Sequence, residues 1–276
     1  MQTESSVGFT DCEQLDVICK EVRRRTLQGL FHAQSGHPGS SLSMVEILTT
    51  LFFREMNTQE PLRDRFILSK GHGAPSFYAV LSLKGIISQE QLDTLRDIES
   101  PLQGHPVKGT LPFIDASTGS LGQGLSVGIG YALASKIKKE DRRVYVVLGD
   151  GELQEGQNWE AAMAGVKFQL ENLLAIVDYN RYQNDGPVSE TMPLESLKGK
   201  WESFGWHVQE VDGHNIEALL QCYQNAREVT GPSCIIAHTI KGRGVSLIEK
   251  NASRYCLAIN EQEYHDALKE LGEKLL

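Results

Sequence analysis

The chain has 276 residues, of which 40% are hydrophobic and 23% charged, and its formal net charge at pH 7 is −9. This length and composition fit one α/β domain, and the acidic balance argues against a broad nucleic-acid surface or binding to an anionic membrane. Five cysteines without a CxxC pair indicate reduced thiols, and no apolar run is long enough to span a bilayer. The polar, acidic N-terminus does not resemble a signal peptide, so we expect a cytoplasmic protein.

The first part of the chain alternates helical patterns with glycine-rich loops that carry histidine. Residues 1–10 are expected to form a disordered arm, and residues 11–276 one domain. His37 and His72 stand in short loops, and His105 stands in a proline- and glycine-rich stretch whose length is typical of functional loops. Apolar spacing predicts helices over 11–34, 41–56, 75–84 and 89–97, a strand over 66–68 and a loop over 99–117.

A strand–helix–strand unit occupies the middle of the chain. The first apolar run ends in Gly149-Asp150-Gly151, and the second ends just before Asn180. Because a right-handed parallel crossover brings both strand ends to one edge of the sheet, we expect Asp150 and Asn180 to converge. Carboxylate, amide and backbone oxygens suit a hard divalent cation, and the start of the intervening helix suits an anion such as a diphosphate. The strands are predicted over 144–148 and 173–177, and the helix over 156–167.

Residues 117–130 read STGSLGQGLSVGIG and lead into a helix predicted over 122–139. A G-x-G sequence that opens a helix invites a dinucleotide-binding interpretation. That interpretation fails here because no strand precedes the glycines and no acidic residue follows on a second strand at the required distance. The small residues indicate close helix packing instead.

The remaining sequence completes an α/β pattern. Lys241 and Arg243 follow the last predicted strand, either as solvated charges or near a phosphate, and His214 is interpreted as structural. Alternating strands and helices predict a doubly wound parallel sheet with helices on both faces. These last strands are predicted over 206–211 and 232–238, and the helices over 194–204, 216–229 and 261–276.

The Gly149-Asp150-Gly151 turn followed by Asn180 resembles the thiamine diphosphate fingerprint, and the wider text, GDGELQEGQNWEA and DYNRYQNDG, resembles the transketolase family. The resemblance covers nearly the whole chain from about residue 11, with its motifs in family order. It implies the thiamine diphosphate-binding fold and, as cofactors, thiamine diphosphate with Mg²⁺, or Ca²⁺ or Mn²⁺ in its place. It assigns the metal to Asp150, Asn180 and the main-chain carbonyl of Tyr182, and the cofactor to the same turn and Asn180.

The resemblance also assigns roles to the glycine-rich loops SGHPG, KGHG and QGHP. In similar transketolase segments, His37 and His105 would face the substrate and act in catalysis, and His72 would lie beside the cofactor diphosphate. Gly119 and Leu121 would touch the central part of the cofactor. From the residues alone, each histidine could equally be a satisfied turn residue.

A further implication is a missing partner. Transketolases continue with a pyrimidine-binding domain, and no region after Gly244 resembles it. The resemblance therefore predicts the N-terminal subunit of a split transketolase, which transfers a two-carbon ketol unit from a ketose to an aldose. A C-terminal subunit would complete it as an α2β2 heterotetramer, and a phosphorylated or modified sugar would be the substrate. Glu155 matches a catalytic-site residue that links the two active sites of the dimer.

Two alternatives stay open beside this prediction. One is half of another thiamine enzyme, similar to a 2-oxo acid dehydrogenase α subunit or a deoxyxylulose-phosphate synthase. The other is a non-catalytic relative that binds a cofactor or partner without turnover. The three histidine loops favour transketolase, but Tyr255 stands where the family usually has histidine. Because tyrosine is not an acid–base group near neutral pH, this departure leaves open an altered donor substrate or a reduced ordinary activity.

Overall fold

A five-stranded parallel sheet forms the centre of the chain, for which a computed structural model describes residues 11–251 and 258–272. The spatial order of its strands is β1-β2-β3-β7-β6, and β4 and β5 form a separate antiparallel hairpin. The predicted arm over residues 1–10 and the departure at Tyr255 both lie outside the described residues. The strands are Arg65–Leu68 (β1), Val144–Gly149 (β2), Leu173–Tyr179 (β3), Tyr182–Gln183 (β4), Gly186–Pro187 (β5), His207–Asp212 (β6) and Ser233–His238 (β7).

Helices of very different length connect these strands. Single 3₁₀ turns, Gly71–Gly73 and Gly151–Gln154, begin within three residues of the ends of β1 and β2. In the described residues, no helix combines the length and apolarity that a membrane crossing requires. The helices are Asp11–Ala33 (α1), Pro38–Leu42 (α2), Val45–Thr50 (α3), Ala74–Leu83 (α4), Gln89–Leu92 (α5), Gly124–Lys138 (α6), Gly156–Lys167 (α7), Val188–Thr191 (α8), Leu197–Ser203 (α9), Ile216–Glu228 (α10), Ser246–Glu249 (α11) and Glu261–Glu270 (α12).

Two apolar cores cover the two faces of the sheet. One core joins α1, α3, α4 and α10 to Tyr145 and Val147 of β2, and the other joins α6, α7 and α9 to Val144 and Val146. Because successive side chains of a strand point to opposite faces, β2 contributes alternately to both cores. A strand that is buried on both faces reads as an unbroken apolar run, as β2 and β3 do. The predicted doubly wound parallel fold is confirmed.

The strand order determines where a ligand can bind. After β3 the chain passes over to the edge strand β6 and returns to β7, which lies between them. All four neighbouring pairs are parallel, so the carboxyl ends of the strands share one edge. In open α/β sheets, ligands bind at this edge near such changes in strand order.

The predicted continuous helix over 41–56 is wrong. It divides into α2, α3 and a π-helical turn, Leu51–Glu55. The hydroxyl group of Ser43 donates to the Asp178 carboxylate at 2.6 Å and lies 3.2 Å from the Ser40 carbonyl. The contact with Ser40 is local and the bond to Asp178 is tertiary; both favour an irregular backbone at Ser43 over a continuous helix.

The predicted helix over 89–97 is also shorter than expected. Ser88 and Gln91 form a capping box at the start of α5, which ends at Leu92. The chain turns at Arg96, whose φ is 70° and whose N–H donates to the Leu102 carbonyl at 2.8 Å. The loop predicted over 99–117 contains only an isolated bridge between Lys108 and Leu111.

Other parts of the chain also differ from the sequence predictions, among them the start of α9, at Leu197 instead of residue 194. The β4–β5 hairpin was not predicted; Asn184-Asp185 form its turn and Gly186 adopts a φ of 139°. The last helix, predicted to reach residue 276, is α12, which ends at Glu270, and residues 273–276 lie outside the described part of the chain.

Candidate functional site

Asp150 lies at the carboxyl end of β2 and is 1% exposed. Its carboxylate oxygens accept hydrogen bonds from the N–H groups of Gly151, at 2.8 Å, and of Arg181, just after β3. The predicted convergence of the two strand ends is therefore present. Burial, and then the nearby charge of Asp178, raises the pKa of Asp150 to about 7. The Asp150 carboxylate is thus short of positive charge, and a bound cation would supply it.

Asp178, near the end of β3, has a cation within the chain. Lys70 follows β1, both side chains are fully buried, and the Lys70 ammonium donates to the Asp178 carboxylate and to the Ser40 carbonyl. Hydroxyl groups of Ser43 and Thr239 donate to the same carboxylate. Burial alone would raise the pKa of Asp178, but the Lys70 charge and these donors hold it below its ordinary value.

A third buried acid, Glu152, fixes the turn after β2. One carboxylate oxygen accepts from the Ser69 hydroxyl and, at 2.9 Å, from the Gly122 N–H; the other accepts from the Gly149 N–H at 3.1 Å. Burial raises the pKa of Glu152 although these donors oppose the shift. The side chain therefore joins the ends of β1 and β2 to the turn before α6.

These strand ends open into a cavity of about 230 Å³. The sequence predicts an anion-binding position at the start of α7. Residues of the 3₁₀ turn Gly151–Gln154, which precedes α7, line the cavity instead, and Gly156 is not among the lining residues. His37, His105 and Gly119 stand beside the cavity rather than in its lining. The predicted site residues that line it are His72, Leu121, Gly149, Asp150, Gly151, Glu155, Asn180 and Tyr182.

Asn180 is held in one orientation beside Asp150. Its Oδ1 accepts from the Tyr182 N–H at 3.1 Å, and its Nδ2 donates to Asp178 at 3.3 Å. One carboxylate, one amide oxygen and the carbonyls of this turn form an oxygen-only donor set. Within residues 11–251 and 258–272, no cluster of three or more His, Cys, Asp or Glu side chains could hold a metal. The donors fit a hard cation that keeps water and phosphate oxygens as ligands, as Mg²⁺ does.

The three histidine loops converge at the cavity. The ring centroids of His37 and His72 are 5.6 Å apart, and those of His37 and His105 are 6.5 Å apart. Burial, and then the charge of Lys70, holds the pKa of His72 well below its ordinary value. Burial and the charge of Arg96 also lower the pKa of His105. Both rings are therefore neutral at pH 7, and each can accept as well as donate a hydrogen bond.

The turn before α6 packs against this histidine cluster. Gly119 has a φ of 131°, and a Cβ atom there would lie 3.0 Å from the ring of His105. Gly122 has a φ of 87°, and its Cβ would lie 2.6 Å from that of Glu155. Leu121, between them, faces the cavity. Glycine at both positions permits the left-handed backbone and the close approach.

Lys241 lies beside the same cavity, whereas Arg243 is exposed. Lys241 is 2% exposed, and it lines an adjoining cavity of about 460 Å³ together with Asn180 and Tyr182. Burial, and then the charge of Lys70, lowers the pKa of Lys241 to about 8, so it remains mostly a cation at pH 7. This position suits the phosphate interpretation of Lys241. His214 makes partly buried polar contacts under the same turn.

Several residues of this arrangement were missed in the sequence. The sequence interpretation assigned no role to Lys70, Asp178 or Glu152, although the positions of Asp178 and Lys70 in the sequence indicated one. Asp178 is a charge inside the otherwise apolar run of β3, and Lys70 follows another buried strand. A buried charge requires an opposite partner, so an acid in one central strand predicts a cation in a neighbour.

Comparisons with known proteins agree with this arrangement. A family model described as "Transketolase, thiamine diphosphate binding domain" matches residues 16–274. The chain is 40% identical over 269 residues to one of the subunits of the apulose-4-phosphate transketolase of Phocaeicola vulgatus, covering 95% of each chain. It is 43% identical over 259 residues to a 6-deoxy-6-sulfo-D-fructose transketolase subunit of a Clostridium species, covering 92% of this chain and 94% of that protein.

Longer transketolases match over part of their length. Human transketolase is 42% identical over 247 residues, which are 87% of this chain and 39% of the human protein. The solved transketolase of Campylobacter jejuni superposes with a TM-score of 0.87 at 31% identity, over 94% of this chain and 42% of that one. The chain thus spans about two fifths of these longer proteins but nearly the whole length of the relatives named as subunits.

Proposed function

The chain belongs to the transketolase family, where it matches the thiamine diphosphate-binding domain, and we propose that it is the N-terminal subunit of a split transketolase. It transfers a two-carbon ketol unit from a ketose to an aldose, with thiamine diphosphate and Mg²⁺, once a C-terminal subunit has joined it. The observation that carries this proposal is the convergence of His37, His72 and His105 beside the buried Asp150–Asn180 pair.

Under this proposal the ends of β2 and β3 anchor the charged part of the cofactor. Asp150, Asn180 and the carbonyl of Tyr182 would hold Mg²⁺, a cation that suits diphosphate oxygens. Lys241 and the backbone of the turn after β2 face the same negative charge. His72, buried and with a pKa held well below its ordinary value, would donate a hydrogen bond to the diphosphate without adding charge.

The remaining residues act on the sugar. Thiamine diphosphate, when bound, supplies the nucleophilic carbon of the reaction. His37 and His105 orient the hydroxyl groups of the substrate and move protons at them, and the lowered pKa of His105 keeps its ring able to accept a proton. Gly119 and Leu121 would contact the middle of the cofactor. Glu155, exposed at the rim of the cavity, meets the partner subunit.

The substrate is proposed to be a phosphorylated or otherwise modified sugar. Two relatives of nearly equal length are named for apulose 4-phosphate and for 6-deoxy-6-sulfo-D-fructose, both of which carry an anionic group. The names of these relatives call them subunits, which supports a partner for this chain, and we propose an α2β2 assembly. One domain over residues 11–276 and a cytoplasmic location remain predictions from the sequence.

Reconstitution tests this function. The chain is combined with the C-terminal subunit encoded in the same genome, thiamine diphosphate and Mg²⁺, and ketol transfer is measured over a panel of phosphorylated, sulfonated and neutral ketoses and aldoses. We expect turnover with the mixture and none with either protein alone. Absence of turnover on every donor overturns the proposal. Cofactor binding without turnover would instead support the non-catalytic alternative.

A matched pair of variants tests the metal assignment. Asp150→Ala is expected to abolish binding of thiamine diphosphate, because it removes the only carboxylate proposed as a metal ligand. Asp16→Ala, which removes an exposed carboxylate of α1, should leave binding unchanged. Unchanged cofactor affinity in Asp150→Ala would contradict the assignment.

A further inference from the structure

Three buried polar side chains lie beneath the turn that follows β7. They are Arg23 in α1, Glu46 in α3 and His214 after β6, and we call them the 23–46–214 network. Arg23 donates to Glu46 Oε1 at 2.6 Å, and Glu46 Oε2 is 3.0 Å from His214 Nδ1. None of the three side chains is more than 9% exposed. The network therefore joins three elements that are distant in sequence.

Both ends of the network hold backbone atoms of the turn over residues 239–245. The Ile240 N–H donates to His214 Nε2 at 2.8 Å, and Arg23 Nε donates to the Arg243 carbonyl at 2.9 Å. Because the Ile240 N–H is a donor, His214 Nε2 must be the acceptor, and the ring proton therefore lies on Nδ1, toward Glu46. The turn is thus fixed on both sides of Lys241 and Gly242.

Lys241 lies between these two anchored residues. The Gly242 N–H donates to the Gly39 carbonyl at 2.9 Å, and a Cβ on Gly39 would lie 2.9 Å from Lys241 Cγ. The Lys241 ammonium is 5.6 Å from the centre of the Tyr182 ring, beside the proposed metal ligands. A lysine stem is flexible, so a single position for its ammonium has to be imposed by the surroundings.

We propose that Arg23, Glu46 and His214 are positioning residues that hold the Lys241 ammonium in place for the diphosphate of the cofactor. The identity of the anion rests on the proposed function, whereas the coupling to the turn rests on the contacts. Without His214, the Ile240 N–H loses its acceptor and Glu46 loses one of its two partners. The turn then samples more positions, and the ammonium is no longer held in place before the anion arrives.

Calorimetric titration with inorganic pyrophosphate and Mg²⁺ tests the network without requiring turnover, on the full chain with and without its C-terminal partner. Lys241→Met is the reference variant. It is expected to weaken pyrophosphate binding about tenfold or more, because a charge-assisted contact is lost. His214→Leu should show most of that loss. His214→Gln, whose Oε1 can accept from the Ile240 N–H, should recover most of the affinity. His265→Leu, on the exposed face of α12, should bind as the wild type does.

The double variant His214→Leu/Lys241→Met separates positioning from general damage. If His214 acts through Lys241, the double variant binds no more weakly than Lys241→Met alone, because the two losses are coupled. Additive losses, or wild-type affinity in His214→Leu, would overturn the inference. If the wild type itself binds no pyrophosphate, the diphosphate site of the proposed function fails, and the inference about Lys241 fails with it.

Hydrogen exchange provides a second measurement if His214→Leu does not fold. In Glu46→Gln, the amide of Ile240 should exchange faster than in the wild type, and pyrophosphate binding should weaken in parallel. Faster exchange with unchanged pyrophosphate binding would show that the turn does not determine the position of the Lys241 ammonium group. Weaker binding with unchanged exchange would show that Glu46 acts by another route. Either result overturns the inference.

Discussion

Asp178 and Asp150 lie at the ends of neighbouring strands and have opposite surroundings. Asp178 is paired with Gly149 of β2 in the sheet register, and the chain supplies it with Lys70, Ser43 and Thr239. Asp150, the residue after Gly149, accepts two backbone hydrogen bonds and lines a cavity. The pKa of Asp178 is held below its ordinary value, whereas that of Asp150 is raised to about 7.

The difference distinguishes the framework of the fold, which includes Asp178, from the binding site, which includes Asp150. The Lys70–Asp178 pair is complete within the chain and ties β1 and β3 to the loop before α3. The surroundings of Asp150 leave a buried carboxylate without enough positive charge, which costs stability until a cation arrives. A buried charge that lacks enough opposite charge within the chain therefore marks a position where a bound ligand supplies it.

The largest expected effect is loss of the framework cation. Lys70→Met leaves Asp178 buried without its counter-charge, which should lower the free energy of unfolding by about 3–5 kcal/mol. Urea unfolding measures the change. Lys20→Met, which removes an exposed partner of Asp16, is the control and should change stability by about 0.5 kcal/mol or less. A Lys70→Met protein as stable as the wild type would contradict the framework role of the pair.

In the metal-free protein, the ionised Asp150 should lower stability, whereas the Lys70–Asp178 pair raises it. Because its pKa is raised in the folded state to about 7, the folded protein binds this proton more tightly than the unfolded chain does. Stability should therefore fall as pH rises from about 4 to about 7, by on the order of 4 kcal/mol at most. Asp150→Asn should lack this loss.

Unfolding in a chelator at several pH values measures this contribution as the difference between wild type and Asp150→Asn. The comparison between the two proteins removes the titration of other groups. Added Mg²⁺ with pyrophosphate should restore stability near neutral pH in the wild type only. A difference that does not vary with pH would show that the surroundings of Asp150 are not short of positive charge.

Glu152 belongs to both regions, so its removal should affect folding and binding together. Its carboxylate accepts from Ser69, Gly122 and Gly149, and the amide of Glu152→Gln would turn N–H groups toward some of these donors. We expect a loss of stability of about 1–3 kcal/mol. Pyrophosphate affinity should fall as well, because the turn carrying Asp150 is displaced. Glu160→Gln, on the exposed side of α7, is the control for both measurements.

The sequence was sufficient to predict the fold and the meeting of the two strand ends. Periodicity shows which runs are buried, and the handedness of parallel crossovers places Asp150 and Asn180 at one edge. The three histidines came only from the resemblance, because no local pattern shows that loops 33 residues or more apart in sequence will meet. The break at Ser43 depends on a tertiary contact with Asp178, and the break at Arg96 depends on a turn closed by the Leu102 carbonyl; the apolar spacing of a helix contains neither.

The partners of Asp178 illustrate the same limit. A charge within an apolar strand predicts that some cation will be present, but its identity depends on which strand becomes the neighbour. Lys70 and Thr239 follow different strands, β1 and β7, and only the sheet order brings them to β3. Long-range register decided these contacts, and the sequence pattern contained no information about it.

The smallest expected effect on stability lies beside the open site, at Gly119. Gly119→Ala places a Cβ at a φ of 131° and 3.0 Å from the ring of His105, which should cost about 1 kcal/mol. Gly130→Ala is the matched control: a Cβ at this position in α6 has no atom within 4 Å, so alanine should stabilise the helix by about 0.5–1 kcal/mol. The informative result is local. Gly119→Ala should lower kcat of the reconstituted enzyme much more than its pyrophosphate affinity, because it shifts the imidazole and leaves Asp150 in place. Equal losses of kcat and of pyrophosphate affinity would indicate that Gly119 supports the framework rather than the substrate side of the site.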